Sequence, residues 1–425
     1  MKAQKRQGIT PLRVYFERIN QFSRNARLYL VGIAFSGIGI GVYRLLFNFY
    51  VLSLGYDERF LGQLITVSSL TALIAAFPMG YLSDVLQRKA AMILGTTGTA
   101  IAIVVMLLFP SRAVFLAMNI LLGLSQSLKQ ISMGPFVVEN SGAAERTYLY
   151  SISMGLMNTA NFVGNWVGGY LPKWMGLWRN VAVTATPAYA WALTIAAVGA
   201  LMAVLPFLFL RNRLTGKEAL EQERSLFAPL QYFKENPVLL GKLILPTLLI
   251  SMGAGLVMPF MNVYFRNVHG QSDAVIGAIF AWGSAATALG MLIAPMMADR
   301  FGKIQVVAVT QGLAIPFLAI LGFVPVFQLV VMAYFIRIAL MNMTTPIYQT
   351  FALEQIQPSA RGMVASLNSM AWSFGWAFSP VISGWLQVRY GFPPAFAGTM
   401  ILYAMAVSLY WLFFLRKKNP APVTA

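Results

Sequence analysis

Runs of about twenty apolar residues follow one another along almost the whole of this chain, broken only by short polar stretches. A helix of that length crosses the hydrocarbon core of a bilayer. Within that core every backbone amide has to be satisfied by the segment itself or by a closed barrel. The runs are about twice the length of a barrel strand, so the fold class is an all-α membrane protein. The pattern predicts twelve spans, near 28–53, 60–82, 90–110, 112–136, 146–171, 186–210, 241–266, 274–298, 303–323, 326–351, 361–388 and 393–415.

Composition narrows the function. Of the 425 residues, 58% are hydrophobic and 10% charged, against roughly 25% charged in soluble domains. There is no cysteine and one histidine, His269. Thiolate or imidazole metal sites and histidine-based catalysis therefore have almost no material to work with. No ATP-binding motif is present, so neither a cofactor nor an enzymatic activity is expected. The net charge of +18 does not point to nucleic acid, because the charge follows the spans. With the N-terminus inside, 22 of the 31 Lys and Arg fall on the cytoplasmic side and six in outer loops. The positive-inside rule then places both termini in the cytoplasm and the chain in the cell (inner) membrane.

Residues 1–27 are polar and basic and precede an apolar run too long for a cleavable signal. Leu12, Tyr15, Phe16, Ile19 and Phe22 share one helical face there, which predicts a cytoplasmic amphipathic tail lying on anionic lipid. The six-and-six division of the spans falls at the polar segment 211–240, a cytoplasmic linker. The predicted organisation is thus a first bundle over 28–210, the linker, a second bundle over 241–415 and a tail over 416–425.

The two bundles match at a constant offset of 215. Gly55 aligns with Gly270, Gly62 with Gly277, Asp84 with Asp299, Arg88 with Lys303, Glu139 with Glu354, Arg146 with Arg361 and Gly169 with Gly384. Charged and glycine positions repeating at one spacing mark a duplicated six-helix unit.

Three cations lie inside spans: Arg44, Lys129 and Arg337. Each costs roughly 2.5–3.5 kcal/mol near the bilayer centre on insertion scales, so each is expected to face a wet cavity or the protein interior. Gln126 shares a helical face with Lys129, and at the repeat offset that face corresponds to one carrying Tyr334 and Arg337. Asn158 and Asn161 form a polar stripe in the fifth span, with Trp376 at the position equivalent to Asn161. No Asp or Glu lies near the middle of any span. An electropositive cavity of this kind suits an anion, and arginine forks suit carboxylate or phosphate.

The segment Gly80–Lys89 (GYLSDVLQRK) and its counterpart Pro295–Lys303 (PMMADRFGK) resemble the loop signature of the major facilitator superfamily. The first copy keeps Gly80, Leu82, Asp84, Arg88 and Lys89 but has Val85 and Gln87 where the family has a basic residue and a glycine. The second has Pro295 in place of the first glycine. The resemblance covers nearly the whole chain. It implies two pseudo-symmetric six-helix bundles that rock about a central cavity lined by spans one, four, seven and ten. It also implies that Asp84 meets the start of span eleven near Arg361, and Asp299 the start of span five near Arg146, as latches on the cytoplasmic side. Glu139, Arg146, Glu354 and Arg361 read as gate or scaffold charges. The expected function is a secondary carrier for a small organic or amphipathic anion, held by Arg44, Lys129, Arg337, Gln126, Asn158, Asn161, Tyr334 and Trp376. The alternative is an efflux pump for hydrophobic drugs or lipid-like molecules. One chain encloses the cavity, so a monomer suffices.

Overall fold

The computed structural model describes residues 22–211, 235–357 and 361–416. The predicted amphipathic tail (apart from its last residues), most of the linker and the end of the C-terminal tail lie outside them. Twelve long helices are present among the described residues: α1 Arg24–Ser53, α2 Glu58–Val85, α3 Gln87–Leu108, α4 Arg112–Glu139, α5 Ala143–Arg179 and α6 Thr186–Leu208 form the first half. The second half holds α7 Pro237–Asn267, α8 Asp273–Phe301, α9 Lys303–Phe323, α10 Phe327–Glu354, α11 Arg361–Tyr390 and α12 Pro393–Leu415. Ten are long and apolar enough to span a membrane by length and composition. The other two, α5 and α11, have the length (37 and 30 residues). They are less apolar because they carry the polar residues of the seams between the halves.

The repeat seen in the sequence recurs in the local geometry. Gly55 and Gly270 both adopt positive φ (86° and 63°), the left-handed turn that glycine makes without a Cβ clash. Two residues later Asp57 and Ser272 cap α2 and α8 through the amides of Phe60 and Val275, each satisfying one of the free N–H groups of a helix start. A run of large apolar side chains on the outer face of α2, Ile74, Phe77 and Tyr81, is at least 70% exposed. Such a surface on a soluble protein would aggregate, whereas a membrane-spanning helix accommodates it.

α1 is wrapped by α5 and α6 through small residues. Gly37 and Gly41 lie against Met157, Ala160 and Asn161 of α5, and Gly39 against Ala196 and Gly199 of α6. The two halves meet along two seams, α2 against α11 and α5 against α8. The seams are built from the repeated glycines. A Cβ on Gly62 would stand 2.3 Å from the Pro380 carbonyl oxygen, and one on Gly384 2.3 Å from that of Glu58. In the other seam a Cβ on Gly277 would stand 2.6 Å from the Asn165 oxygen, and one on Gly169 2.6 Å from that of Asp273. Position for position these contacts are related by the offset of 215. Backbone approach this close requires glycine.

All of these contacts lie at the ends of the helices remote from Phe22 and Arg416, here called the far side. On the near side the charged side chains pair within each half. Asp84 pairs with Arg88 at 2.5 Å, and Arg88 also reaches Glu139 at 3.2 Å. Lys303 pairs with Glu354. Arg146 and Arg361 donate to the backbone oxygens of Val138 and Leu353 in their own halves. Among the described residues no ion pair joins Asp84 to Arg361 or Asp299 to Arg146. The expected cross-half latches are thus not among the ion pairs of the described residues, whose near-side charges pair within their own halves.

Candidate functional site: a polar face beneath the closed side

Closure on the far side ends in a reciprocal pair of asparagines. Asn48 of α1 donates to the Pro259 oxygen at 2.8 Å and to Asn262 Oδ1 at 2.9 Å. Asn262 donates back to the Leu45 oxygen at 2.8 Å. Both side chains are buried. Asn262 can be reached because α7 breaks its α-helix at a 3-10 turn, Met258–Phe260, before resuming over Met261–Asn267. Pro259 removes an amide there and leaves carbonyls free to accept.

Arg44 lies four residues before Asn48 on the same face, about 6 Å nearer the near side at 1.5 Å per residue. Its neighbours Gly41, Val42, Leu45 and Leu46 are buried, whereas Arg44 is exposed. Other faces of α1 pack against α5 and α6. Among the described residues Arg44 has no ion-pair or hydrogen-bond partner. Lys129 of α4 donates to Ser36 of α1, and Ser36 is two further turns, about 12 Å, towards the near side. Arg44 is therefore deep beneath the seal and Lys129 closer to the mouth. Gln126 is exposed, one turn from Lys129.

The seam helices extend this face. Asn165 contacts Gly277 in one seam and Pro380 contacts Gly62 in the other. One turn below them stand Asn161 and Trp376, each partly exposed, with Asn158 one further turn down α5. The Trp376 indole N–H has no acceptor. Arg44, Gln126, Lys129, Asn158, Asn161 and Trp376 thus form a set of side chains with at least partial exposure.

Arg337 and Tyr334 do not join it. Arg337 is 3% exposed, donating to the Tyr403 hydroxyl at 2.6 Å and to Met258 Sδ at 2.7 Å. Its Nε has no partner. Tyr334 is packed among Phe265 and Phe280, ring centroids 5.6 and 6.1 Å away. The face they share turns into the second bundle, against α7, α8 and α12. The predicted convergence of Lys129 and Arg337 on one centre is absent in this conformation.

The sequence reading missed Asn48 and Asn262, and also a second cross-half cluster. Tyr189 of α6 donates to Asp273 Oδ2 at 2.9 Å. Asp273 pairs with Arg266, whose guanidinium lies 3.3 Å over the Phe49 ring of α1. At the equivalent place in the other seam Glu58 accepts from Asn267 at 3.1 Å. Asp273 and Glu58 stand 215 apart, a signal available in the repeat.

Two six-helix bundles related by an internal repeat and joined along two seams are the architecture of a membrane carrier. The family model of the Major Facilitator Superfamily matches residues 29–272 and 244–425, and the chain belongs to that superfamily. It is a multi-pass membrane transporter of the secondary type and not an enzyme. Among curated relatives it is 23% identical over 409 residues to the multidrug resistance protein MdtG of Dickeya zeae, covering 94% of this chain and 96% of that one. It is 25% identical over 422 residues to MdtG of Proteus mirabilis, covering 93% and 97%. Among solved structures it resembles an inward-facing bacterial homologue of the human lysosomal transporter Spinster, with a TM-score of 0.77 at 14% identity, covering 97% of this chain and 100% of that one. The nucleoside transporter NupG gives 0.74 at 15% identity, covering 93% and 99%.

Proposed function

We propose that this protein exports amphipathic organic molecules whose polar end is anionic, and that Arg44 receives that end. The observation that carries the reading is the bare guanidinium of Arg44 beneath the far-side seal, with no carboxylate beside it. A charge left in a partly desolvated interior is stabilised by an ion of opposite sign, and a guanidinium offers a carboxylate or phosphate two parallel hydrogen bonds. Lys129 at the mouth attracts the same charge, Gln126, Asn158 and Asn161 orient the polar end, and Trp376 offers an indole N–H beside an apolar ring. In the same reading both termini are cytoplasmic, which makes the near side the inside and this conformation inward-facing. The latches that the resemblance implies, Asp84 with Arg361 and Asp299 with Arg146, then form on the cytoplasmic side when the carrier turns outward. One chain suffices for the cycle.

A second reading, efflux of uncharged lipophilic drugs, is supported by the relatives named for multidrug resistance. The two are separated by flux in proteoliposomes with a matched pair of amphiphiles that differ only in a carboxylate against its amide. Arg44→Ala is expected to lower carboxylate flux by about tenfold or more, the equivalent of losing one charge-assisted hydrogen bond, and to spare the amide. Equal flux of both compounds through both proteins removes the anionic reading and leaves the second.

A further inference from the structure

On its membrane face the α2–α11 seam carries a groove of about 320 Å³ lined by Arg59, Gln63, Val381, Ile382 and Trp385. It draws on both halves and lies at the far-side end, beside the contact of Gly384 with Glu58. We propose that it is a binding site for one membrane glycerophospholipid, whose phosphodiester is held by Arg59 and Gln63 and whose acyl chain runs over Val381, Ile382 and Trp385.

Three observations support this. The first is unspent charge. Arg59 is exposed and has no ion-pair partner among the described residues. The carboxylates next to it are engaged elsewhere, Glu58 with Asn267 and Asp57 in capping α2. A guanidinium in a membrane groove offers a fork to a phosphate.

The second is the profile of the helix face. Arg59 and Gln63 are one turn apart at the start of α2, and the same face continues through Ile74, Phe77 and Tyr81, which are 70–72% exposed. A cation and an amide at headgroup depth, followed by an apolar stripe, match a phospholipid from phosphate to chain.

The third is an internal control. The repeat supplies a twin groove, of about 260 Å³, in the α5–α8 seam, lined by Phe162, Val163, Trp166, Val167 and Trp282. Trp166 and Val167 are the counterparts of Val381 and Ile382 at the offset of 215. Arg59 and Gln63 have as counterparts Ala274 and Ala278. The twin is closed by stacked and edge-on aromatics (Phe162–Trp166 5.8 Å, Trp166–Trp282 6.3 Å). A seam of this geometry therefore does not need a cation; only one of the two copies has acquired it.

The site is independent of what the interior face carries. It is tested on full-length protein, stripped of lipid in a neutral maltoside and examined by native mass spectrometry and thermal unfolding. The ligands are phosphatidylglycerol, diacylglycerol and glycerol 3-phosphate. One phosphatidylglycerol adduct is expected, with a thermal stabilisation that neither other ligand reproduces. Arg59→Ala should weaken the adduct about tenfold or more, and Arg59→Lys should restore part of it. Arg179→Ala, which removes a far-side cation over the Trp178 and Trp191 rings away from the groove, should leave it. Three results overturn the proposal: an unchanged adduct in Arg59→Ala, an equal loss in Arg179→Ala (diffuse attraction only), or equal stabilisation by glycerol 3-phosphate (a soluble anion).

Discussion

Asn48 and Asn262 each donate a side-chain hydrogen bond to the backbone of the other's helix, three residues before the partner asparagine, at 2.8 Å in both directions. The pair is a pseudo-two-fold clamp between α1 and α7, and Arg44 lies one turn beneath it. A buried amide that loses such partners leaves polar groups unsatisfied, which costs more than a typical hydrogen bond contributes. The clamp therefore holds only while both halves are in register, and it breaks as a unit when the far side opens.

Either Asn48→Ala or Asn262→Ala should shift the carrier towards the far-side-open state, by about 1–3 kcal/mol. The double variant should cost less than the sum of the two, because the residues share one interaction. Spin-label distances across the far-side ends of α1 and α7 measure the populations. Strict additivity would show that the two side chains act separately.

The repeated glycines make a sharper test of the seams. Gly62→Ala places a methyl group 2.3 Å from the Pro380 oxygen, and Gly384→Ala does the same against Glu58. Backbone cannot yield as a flexible side chain can, so the seam should part. The chain has no cysteine, so one introduced at Asn161 is a unique reporter. An impermeant maleimide added on the far side should label it faster in Gly62→Ala than in its absence. Equal rates would mean that the seam tolerates the methyl group.

The near-side ion pairs Arg88–Glu139 and Lys303–Glu354 occupy equivalent places in the two halves, but they differ in exposure. Side chains are 20% and 23% exposed in the first pair and 33% and 50% in the second. Solvent screening leaves the second worth at most about 1 kcal/mol. Glu354→Gln should barely move the thermal midpoint, and Glu139→Gln should lower it more. The reverse order would show that exposure is not what grades them.

His269 stands in the far-side loop between α7 and α8, with Nε2 3.1 Å from the Tyr264 hydroxyl. That hydroxyl donates to the Leu321 oxygen, so Nε2 carries the proton and donates to it. Burial pushes the His269 pKa below its ordinary 6.5. The unfolded chain then binds the proton more readily than the folded one, and stability is complete above pH 6.5 and declines as pH falls below it. As the sole histidine it gives one imidazole signal by NMR, which should titrate below pH 6.5. In His269→Gln the acid-side decline in thermal midpoint should shrink.

Much of this architecture is legible in the residues, and the reasons are physical. Span length sets the helix count, and the offset of 215 identifies the glycines that become seam contacts, since only glycine lets two backbones touch. Glu139 and Glu354 read as gate or scaffold charges, and each pairs with a cation of its own half, Arg88 and Lys303. The interior face was harder to read. Arg44 and Arg337 look alike in sequence, each a lone cation in an apolar span. What separates them is which neighbour covers the helix face, and periodicity carries no information on that. Tyr403 and Met258 cover Arg337, whereas Arg44 has no hydrogen-bond or ion-pair partner among the described residues. The conformational state is likewise invisible to composition, and among the described residues Asp84 pairs with Arg88 of its own half rather than with Arg361. Asn48 and Asn262 were missed because a single asparagine in a span has no periodic partner on its own helix; its partner is in the other half.

The central claim is that the uncovered guanidinium of Arg44 meets a negative charge. It is tested most directly by the binding of the carboxylate and amide amphiphiles to purified protein and to Arg44→Gln, read as ligand-dependent thermal stabilisation. The carboxylate should bind the native protein at least about tenfold more tightly than the amide, and that preference should vanish in Arg44→Gln. A preference of equal size in both proteins would contradict the account.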